Sequence, residues 1–314
     1  MDIVTLELRR AEHWQAREGT SLLDVCARLR AGEPLGEREA QLAAALERQE
    51  VLLFAALHVL LNMAEEPTVE AKMMRRGLLG HLVLLLDRAG TELLLLATTF
   101  LLRLSARPEG RVGMLEAGVA PRAAALLPTD SCELLRVQLH LMHNLALEPE
   151  GRLALVNAGM VGKVAVLLEG EGEGKQACAH HQLALSLLCQ LSADDKHRSL
   201  FLYTGALPRL GALLLEAPPG GVAPELATLT ANLTESPRVA EELARCGLVE
   251  PLLARALAER ELSVWRLVHN LAAHESEDVR QRFMSSLPGI ASLLMVRGRR
   301  SCCCSSPLDT HSTR

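Results

Sequence analysis

Residues 194–197 carry the side chains best suited to chemistry, within the stretch LSADDKHRSLFLYTGALPRL (191–210). Asp194, Asp195, Lys196 and His197 supply two adjacent carboxylates, an amine and an imidazole. Such groups can bind a metal ion or act as general acids and bases. A working site needs them to converge on one point, so the element that positions them decides whether they act together.

An internal repeat identifies that element. One pattern recurs six times along the chain, at intervals of 41, 41, 46, 42 and 38 residues. Its first marker, here called the anchor position, is occupied by Asn62, Arg103, Asn144, Gln190, Asn232 and Asn270. Five residues after the anchor stand Pro67, Pro108, Pro149, Asp195, Pro237 and Glu275. Fifteen residues after the anchor stand Gly77, Gly118, Gly159, Gly205, Gly247 and, in the sixth copy, Ser285.

The second marker indicates the start of a helix. Proline is tolerated at the first helical position because its missing N–H has no partner there, and acidic residues suit the first turn because they face the positive end of the helix dipole. Asp195 therefore occupies a proline's place at a helix start, with Asp194 in the loop or cap before it. Only His197 differs in kind from its counterparts, Gly110 and Gly151. We predict a non-enzymatic chain, and an enzyme that uses Asp194, Asp195 and His197 is the alternative hypothesis.

The copy from 149 to 191 shows the expected unit. Pro149 opens a short helix, EGRLALVNA, and Gly159 ends it with a left-handed backbone that a Cβ would disfavour. A second helix, MVGKVAVLLE, and a loop, GEGEGKQ, lead to a long, mostly apolar third helix, ACAHHQLALSLLCQLS. Three helices in about 40 residues are typical of armadillo or HEAT repeats, and the short first helix favours armadillo. We predict an all-α fold, an armadillo-type right-handed superhelical solenoid with a groove lined by third helices.

The composition argues against several functional classes. Hydrophobic residues make up 49% of the 314 residues, aromatic residues only 2%, and the net charge is −5. A chain with this charge and few aromatic side chains lacks the basic surface and the stacking groups that bind nucleic acids. The apolar runs at 51–61 and 92–102 are shorter than a membrane span. The cysteines show no disulfide framework, which predicts a reducing, cytoplasmic location.

The sequence predicts neither a metal site nor a cofactor. Cys178, His180, His181 and Cys189 lie close together in the sequence, but they lack the CxxC spacing of structural zinc sites. The phosphate-binding pattern GxxxxGK[ST] does not occur.

The anchor residues are the candidate partner contacts. A side-chain amide has both a donor and an acceptor, so it can bind the backbone of a peptide in the groove. The candidate partner-groove residues are Asn62, Asn144, Gln190, Asn232 and Asn270. The alternative is that these amides cap the helix end or bridge to a neighbouring repeat, and the sequence favours neither.

Tryptophan is missing from the place where peptide-binding armadillo proteins pair it with asparagine, one turn before the anchor. The residues four positions before Asn62, Asn144 and Asn270 are His58, His140 and Arg266, and Trp265 is one position away. The absence of this aromatic ladder argues against a nuclear-import receptor.

Four stretches carry a more specific resemblance. They are QEVLLFAALHVLLNMAEEPTVEAKM (49–73), VLLLDRAGTELLLLATTFLLRLS (83–105), LSADDKHRSLFLYTGALPRL (191–210) and WRLVHNLAAHES (265–276). With LELRRAEHW (6–14), they resemble the kinesin-associated protein family, the non-motor accessory subunits of heterotrimeric kinesin-II. The resemblance implies an adaptor that binds the tail regions of the kinesin-II motor subunits and links them to cargo or transport-complex proteins. It also implies a location on the cytoskeleton and in the cilium or flagellum. Another armadillo adaptor, of the nuclear-import or junctional type, is the alternative.

We predict three regions. Residues 1–50 form an N-terminal helical segment, the remnant of a longer N-terminus in the family. Residues 51–295 form a solenoid of about six repeats. Residues 296–314 form a disordered Ser/Cys/Arg tail that does not match the family, in which Cys302, Cys303 and Cys304 follow three arginines.

Overall fold

The computed structural model describes residues 22–168, 175–259 and 261–285. The chain divides after Leu191 into an N-terminal unit and a C-terminal unit. Throughout the described ranges the regular structure is helical. Within them, no helix combines the length and the apolar character needed to cross a membrane. The predicted tail with Cys302–Cys304 and the acidic loop at 169–174 lie outside the described residues.

The N-terminal unit is built from helices that repeat in groups of three. Its helices are α1 (Leu22–Arg30), α2 (Glu37–Met63), α3 (Pro67–Arg75), α4 (Leu78–Leu85), α5 (Thr91–Leu104), α6 (Pro108–Glu116), α7 (Val119–Ala125), α8 (Cys132–Leu145), α9 (Pro149–Asn157), α10 (Met160–Val166) and α11 (Lys175–Leu191). The long helices α2, α5, α8 and α11 each end one position after an anchor residue. They are the third helices that the repeat predicts.

The proline and glycine markers set the two bends of each copy. Pro67, Pro108 and Pro149 are the first residues of α3, α6 and α9. The glycine between the first and second helices takes the left-handed conformation that L-residues avoid, with φ of +75° at Gly159. Gly77, Gly118 and Gly247 have similar φ values. The predicted helix start and left-handed glycine are therefore confirmed in this register.

The third helices hold the N-terminal unit together. Helix α5 packs between α2 and α8, and α8 packs between α5 and α11. An inner helix therefore has two buried faces: in α5, Leu94 and Leu101 lie on one, and Leu93 and Phe100 on the other. Because neither face can be buried by the helix's own copy, the unit is stable only as a stack.

The C-terminal unit repeats the plan with one irregular copy. Its elements are α12 (Asp195–Arg198), a 3-10 helix (Ser199–Tyr203), α13 (Ala206–Glu216), α14 (Pro224–Thr234), α15 (Pro237–Arg245), α16 (Val249–Glu259), α17 (Leu262–Ala272) and a helix at 277–285, α18. The first helix of the fourth copy is a single α turn followed by the 3-10 helix. Gly205, which follows it, lacks the positive φ of the other glycine markers.

Candidate protein-binding surface

The Asp-Asp-Lys-His cluster does not converge on one point. Asp194 is the N-cap of α12, and Asp195 is its first residue, with a highly exposed side chain that pairs with Arg198 at 2.8 Å. Lys196 is exposed, whereas His197 is buried. The exposed carboxylate of Asp195 and the buried imidazole of His197 lie in different environments, so the cluster has the arrangement of a helix start.

The described cysteine and histidine side chains of α11 do not come together as a metal site. His180 contacts the backbone carbonyl of Cys132 through Nε2 at 3.1 Å. Among the described residues, no three side chains of the Cys, His, Asp and Glu types approach closely enough to hold an ion. The side chain of Cys178 lies outside the described residues.

Two of the candidate anchor residues, Asn144 and Asn232, bridge to the preceding copy of the repeat. Asn144 donates from Nδ2 to the Ser105 hydroxyl at 2.8 Å. Asn232 donates in the same way to Ser192 at 3.1 Å. Each bond joins a third helix to the residue two positions after the preceding anchor, which is one of the two roles that the sequence left open. It does not exclude a partner, because each amide also has an oxygen that can accept a bond.

The remaining anchors show how the bridge depends on the residue two positions after the previous anchor. Asn270 donates to the Thr234 hydroxyl at 3.2 Å and to the Ala231 carbonyl at 3.1 Å. Where that position holds Ala64, with no hydroxyl, the next anchor is Arg103, which reaches the Ala64 carbonyl at 3.0 Å. Asparagine thus accompanies serine or threonine, and a longer donor accompanies alanine. Asn62 is exposed on α2 and Gln190 is half-buried on α11.

The bridge can be measured with a double-mutant cycle on Asn144 and Ser105. We expect Asn144→Ala alone to lower the free energy of unfolding by about 1 kcal/mol, the usual net contribution of one such bond. Ser105→Ala should cost a similar amount, and the double variant should cost less than the sum of the two. Urea unfolding of the four proteins gives the coupling energy, and additive effects would contradict the bridge.

A set of arginines missed by the sequence analysis closes the same junction. Eight residues after three of the anchors stand Arg111, Arg152 and Arg198. Each donates to backbone carbonyls just after the anchor, as Arg152 does to Ala146 at 3.1 Å. They satisfy carbonyls that a helix leaves unpaired at its C-terminus. The recurrence of arginine at this spacing was the available signal.

The exposed stripe of the third helices forms the candidate protein-binding surface. On α8 this stripe carries Arg136, His140, His143 and Asn144, each exposed or half-buried. Burial, with the nearby Arg136 and then His143, lowers the pKa of His140 below its ordinary value. The imidazole therefore favours its neutral form, which can both donate and accept a hydrogen bond. In the C-terminal unit, α17 presents Arg266, His269 and Asn270 in the same register.

A family model described as kinesin-associated protein (KAP) matches residues 1–300. The chain belongs to the kinesin-associated protein family. The match includes the whole described part of this KAP-family chain, so both units fall within it.

Solved structures of designed armadillo repeat proteins are similar to this KAP-family chain. The design YIII(Dq)4CqI is 20% identical with a TM-score of 0.57, and the alignment covers 80% of this chain and 100% of that one. A computationally designed armadillo protein for modular peptide recognition is 21% identical with a TM-score of 0.56, covering 80% and 99%. A third design, YIII(Dq.V1)4CPAF in complex with the peptide (KR)4, is 20% identical with a TM-score of 0.53, covering 86% and 99%. These likenesses show the fold, and the predicted all-α armadillo class is confirmed.

Proposed function

We propose that this chain is an adaptor that binds the tail regions of kinesin-II motor subunits and links them to cargo. The observation that carries the proposal is the KAP family match over residues 1–300. The exposed polar stripe of the third helices is the surface we assign to the partner. Binding would come from many contacts along this stripe, with no chemical step. The proposal places the chain on the cytoskeleton and, for transport along cilia or flagella, in the cilium.

The charge of the stripe supports one class of tail segment. On α8, Arg136 and two histidines lie near the anchor Asn144, with Glu133 a turn away at 4.0 Å from Arg136. Because His140 favours its neutral form, the cation on this stripe is Arg136, and its exposed guanidinium attracts a segment that carries acidic side chains and repels a basic one. The designed protein solved with (KR)4 has a basic peptide as its partner. We therefore expect this chain to prefer acidic stretches of the motor tails.

The test is direct binding between the purified chain and tail segments of the kinesin-II motor subunits. Arg136→Glu reverses one charge on the stripe of α8, and we expect it to weaken binding at least tenfold, the effect of losing about 1.4 kcal/mol. Lys72→Glu is the matched control, because Lys72 is also exposed but lies on α3, a first helix. It makes the same charge change away from the stripe and should leave binding unchanged.

Each outcome separates the proposal from its alternative. Titration calorimetry with the tails and with the (KR)4 peptide compares the two partner classes directly. A folded, helical chain that ignores the tails would overturn the motor-adaptor proposal and leave the fold intact. Preferential binding of (KR)4 would instead indicate a nuclear-import type of adaptor. Equal weakening by Arg136→Glu and Lys72→Glu would show that binding does not use the stripe.

A further inference from the structure

Helix α2 has a wide apolar face that faces solvent. The face is confined to the last half of the helix and consists of Val51, Leu52, Phe54, Ala55, Val59 and Met63. Val51 is 69% exposed, Val59 57% and Leu52 55%. Leu52, Ala55, Val59 and Met63 are three or four residues apart, so they lie side by side along the helix, with Val51 and Phe54 beside them. At its edge the Phe54 ring stacks on His58, with 6.3 Å between the ring centroids.

The register shows what this face is. Four of its members, here called the stacking positions, lie ten, seven and three residues before the anchor and one residue after it. In α2 these are Leu52, Ala55, Val59 and Met63, all exposed. The same positions are buried in the next two copies: Leu93, Leu96, Phe100 and Leu104 in α5, and Leu134, Val137, Leu141 and Leu145 in α8. The α2 face is therefore a repeat-stacking surface left open.

The opposite face of α2 already packs on the rest of the unit. Leu53, Leu57 and Leu60 are buried there, and α2 contacts α5. Further toward the N-terminus of α2, the solvent side is polar, with Gln41 and Arg48 exposed. The apolar side chains thus begin where the third-helix register begins. A stacked array needs a polar outer face at its end. We therefore expect another segment to cover this apolar face.

The nearest candidate cover is the segment 1–21, which precedes α1. Arg28 in α1 pairs with Glu39 near the start of α2 at 2.7 Å, whereas Cys26 packs on Leu46. Helix α1 therefore runs antiparallel to α2. Its N-terminus at Leu22 points along α2 toward Val51, where the open face begins. A tethered segment acts at an effective concentration in the millimolar range, an advantage over any separate molecule.

The segment has the chemistry that this face requires. Its apolar residues Ile3, Val4, Leu6 and Leu8 are followed by Arg9 and Arg10. The open face ends beside Glu65 and Glu66, both exposed, so the two arginines would meet acidic partners. The eleven residues 11–21 can span up to about 35 Å when extended, more than the roughly 18 Å from Met63 back to Val51. Ile3–Leu8 can therefore lie on the face with Arg9 and Arg10 beside Glu65 and Glu66. We propose that residues 1–21 dock on the open stacking face of α2 and cap the N-terminal unit.

Hydrogen exchange of the full chain tests the proposal. We expect amides in residues 3–14 to exchange several-fold more slowly than in an unstructured peptide of the same sequence. Val59→Glu puts a charge on the open face, and it should remove this protection. Gln41→Glu, on the polar half of the same helix, is the matched control and should leave it. A segment that exchanges at the free rate in the unsubstituted chain would overturn the proposal.

A second measurement distinguishes loss of docking from an effect of Val59→Glu on folding. In a Trp265→Phe background, Trp14 is the one remaining tryptophan of the chain. We expect its emission to be blue-shifted, and Leu6→Glu and Val59→Glu should each shift it to the red by the same amount. Because both substitutions remove the same contact, the double variant should show no further red shift. Light scattering measures the mass: a dimer dissolved by Val59→Glu would assign the face to a second copy and overturn the proposal.

Discussion

Replacing Arg255 with methionine should lower the free energy of unfolding of the C-terminal unit by about 3–5 kcal/mol, the cost of breaking a buried charged network. Arg255 lies in α16 and is only 7% exposed. Its guanidinium donates to four backbone carbonyls at the end of α13, those of Leu214, Leu215, Ala217 and Pro218. The shortest of these bonds is 2.7 Å, to Ala217. The guanidinium of Arg255 also lies 3.5 Å from the carboxylate of Glu261.

Methionine keeps most of the unbranched apolar stem of arginine but donates nothing. The carbonyls and the Glu261 carboxylate would lose their partner while most of the site stays buried, and unmet polar groups are expensive to bury. Lysine retains the charge but has a single nitrogen, so Arg255→Lys should fall between the two. The order of stability we expect is arginine, then lysine, then methionine.

Arg245→Met in the same unit is the matched control. Arg245 pairs with Asp278 at 3.1 Å and with Glu242 at 3.5 Å, but all three side chains are exposed. Solvent and salt screen exposed pairs, so this substitution should have a small effect on stability. Urea unfolding followed by circular dichroism compares the variants. Equal losses from Arg255→Met and Arg245→Met would show that the buried network does not stabilise the fold.

The sequence predicted the plan of each repeat because that plan depends on local chemistry. Pro149 and Gly159 fix the backbone at their own positions, through a missing N–H and a missing Cβ. Their spacing therefore located the bends before any contact was known. The same reasoning placed Asp195 at a helix start.

The contacts between copies were harder to predict because they join residues about forty positions apart. Arg255 reaches Leu214, and Asn144 reaches Ser105, across a whole repeat. The sequence showed that the anchors recur, but it did not show that four of them pair with the residue two positions after the previous anchor. These four are Arg103, Asn144, Asn232 and Asn270. The hypothesis that the anchors contact a partner and the hypothesis that they bridge two repeats both predict the same residues. Only the structure showed that the amide nitrogen of Asn144 already donates a hydrogen bond within the chain, to Ser105.

Gly151 shows the same limit, since the sequence presented it only as a counterpart of His197. It lies in the first turn of α9, and a Cβ added there would overlap the carbonyl oxygen of Leu145, at the end of α8. Gly110 is held in the same way against Leu104. Glycine is therefore required at these sites by the close approach of two helices, and not by an unusual φ.

Gly151→Ala should destabilise the N-terminal unit by about 3 kcal/mol, the upper end of the range for an overpacked site, because the obstacle is backbone that cannot rotate away. Gly80→Ala provides a control of opposite sign. Gly80 is also a helical glycine, but a Cβ there would meet no atom within 4 Å. Alanine should therefore stabilise α4 by about 0.8 kcal/mol through its higher helix propensity.

The two substitutions add the same methyl group, so the difference between them reports the helix contact alone. Urea midpoints of the two variants, measured beside the unsubstituted chain, should move in opposite directions. Gly110→Ala should follow Gly151→Ala, because the two glycines share one register in successive copies. If Gly151→Ala instead stabilised the protein as Gly80→Ala does, α9 would not lie against the end of α8. The close stacking of successive repeats, on which the proposed partner surface depends, would then be wrong.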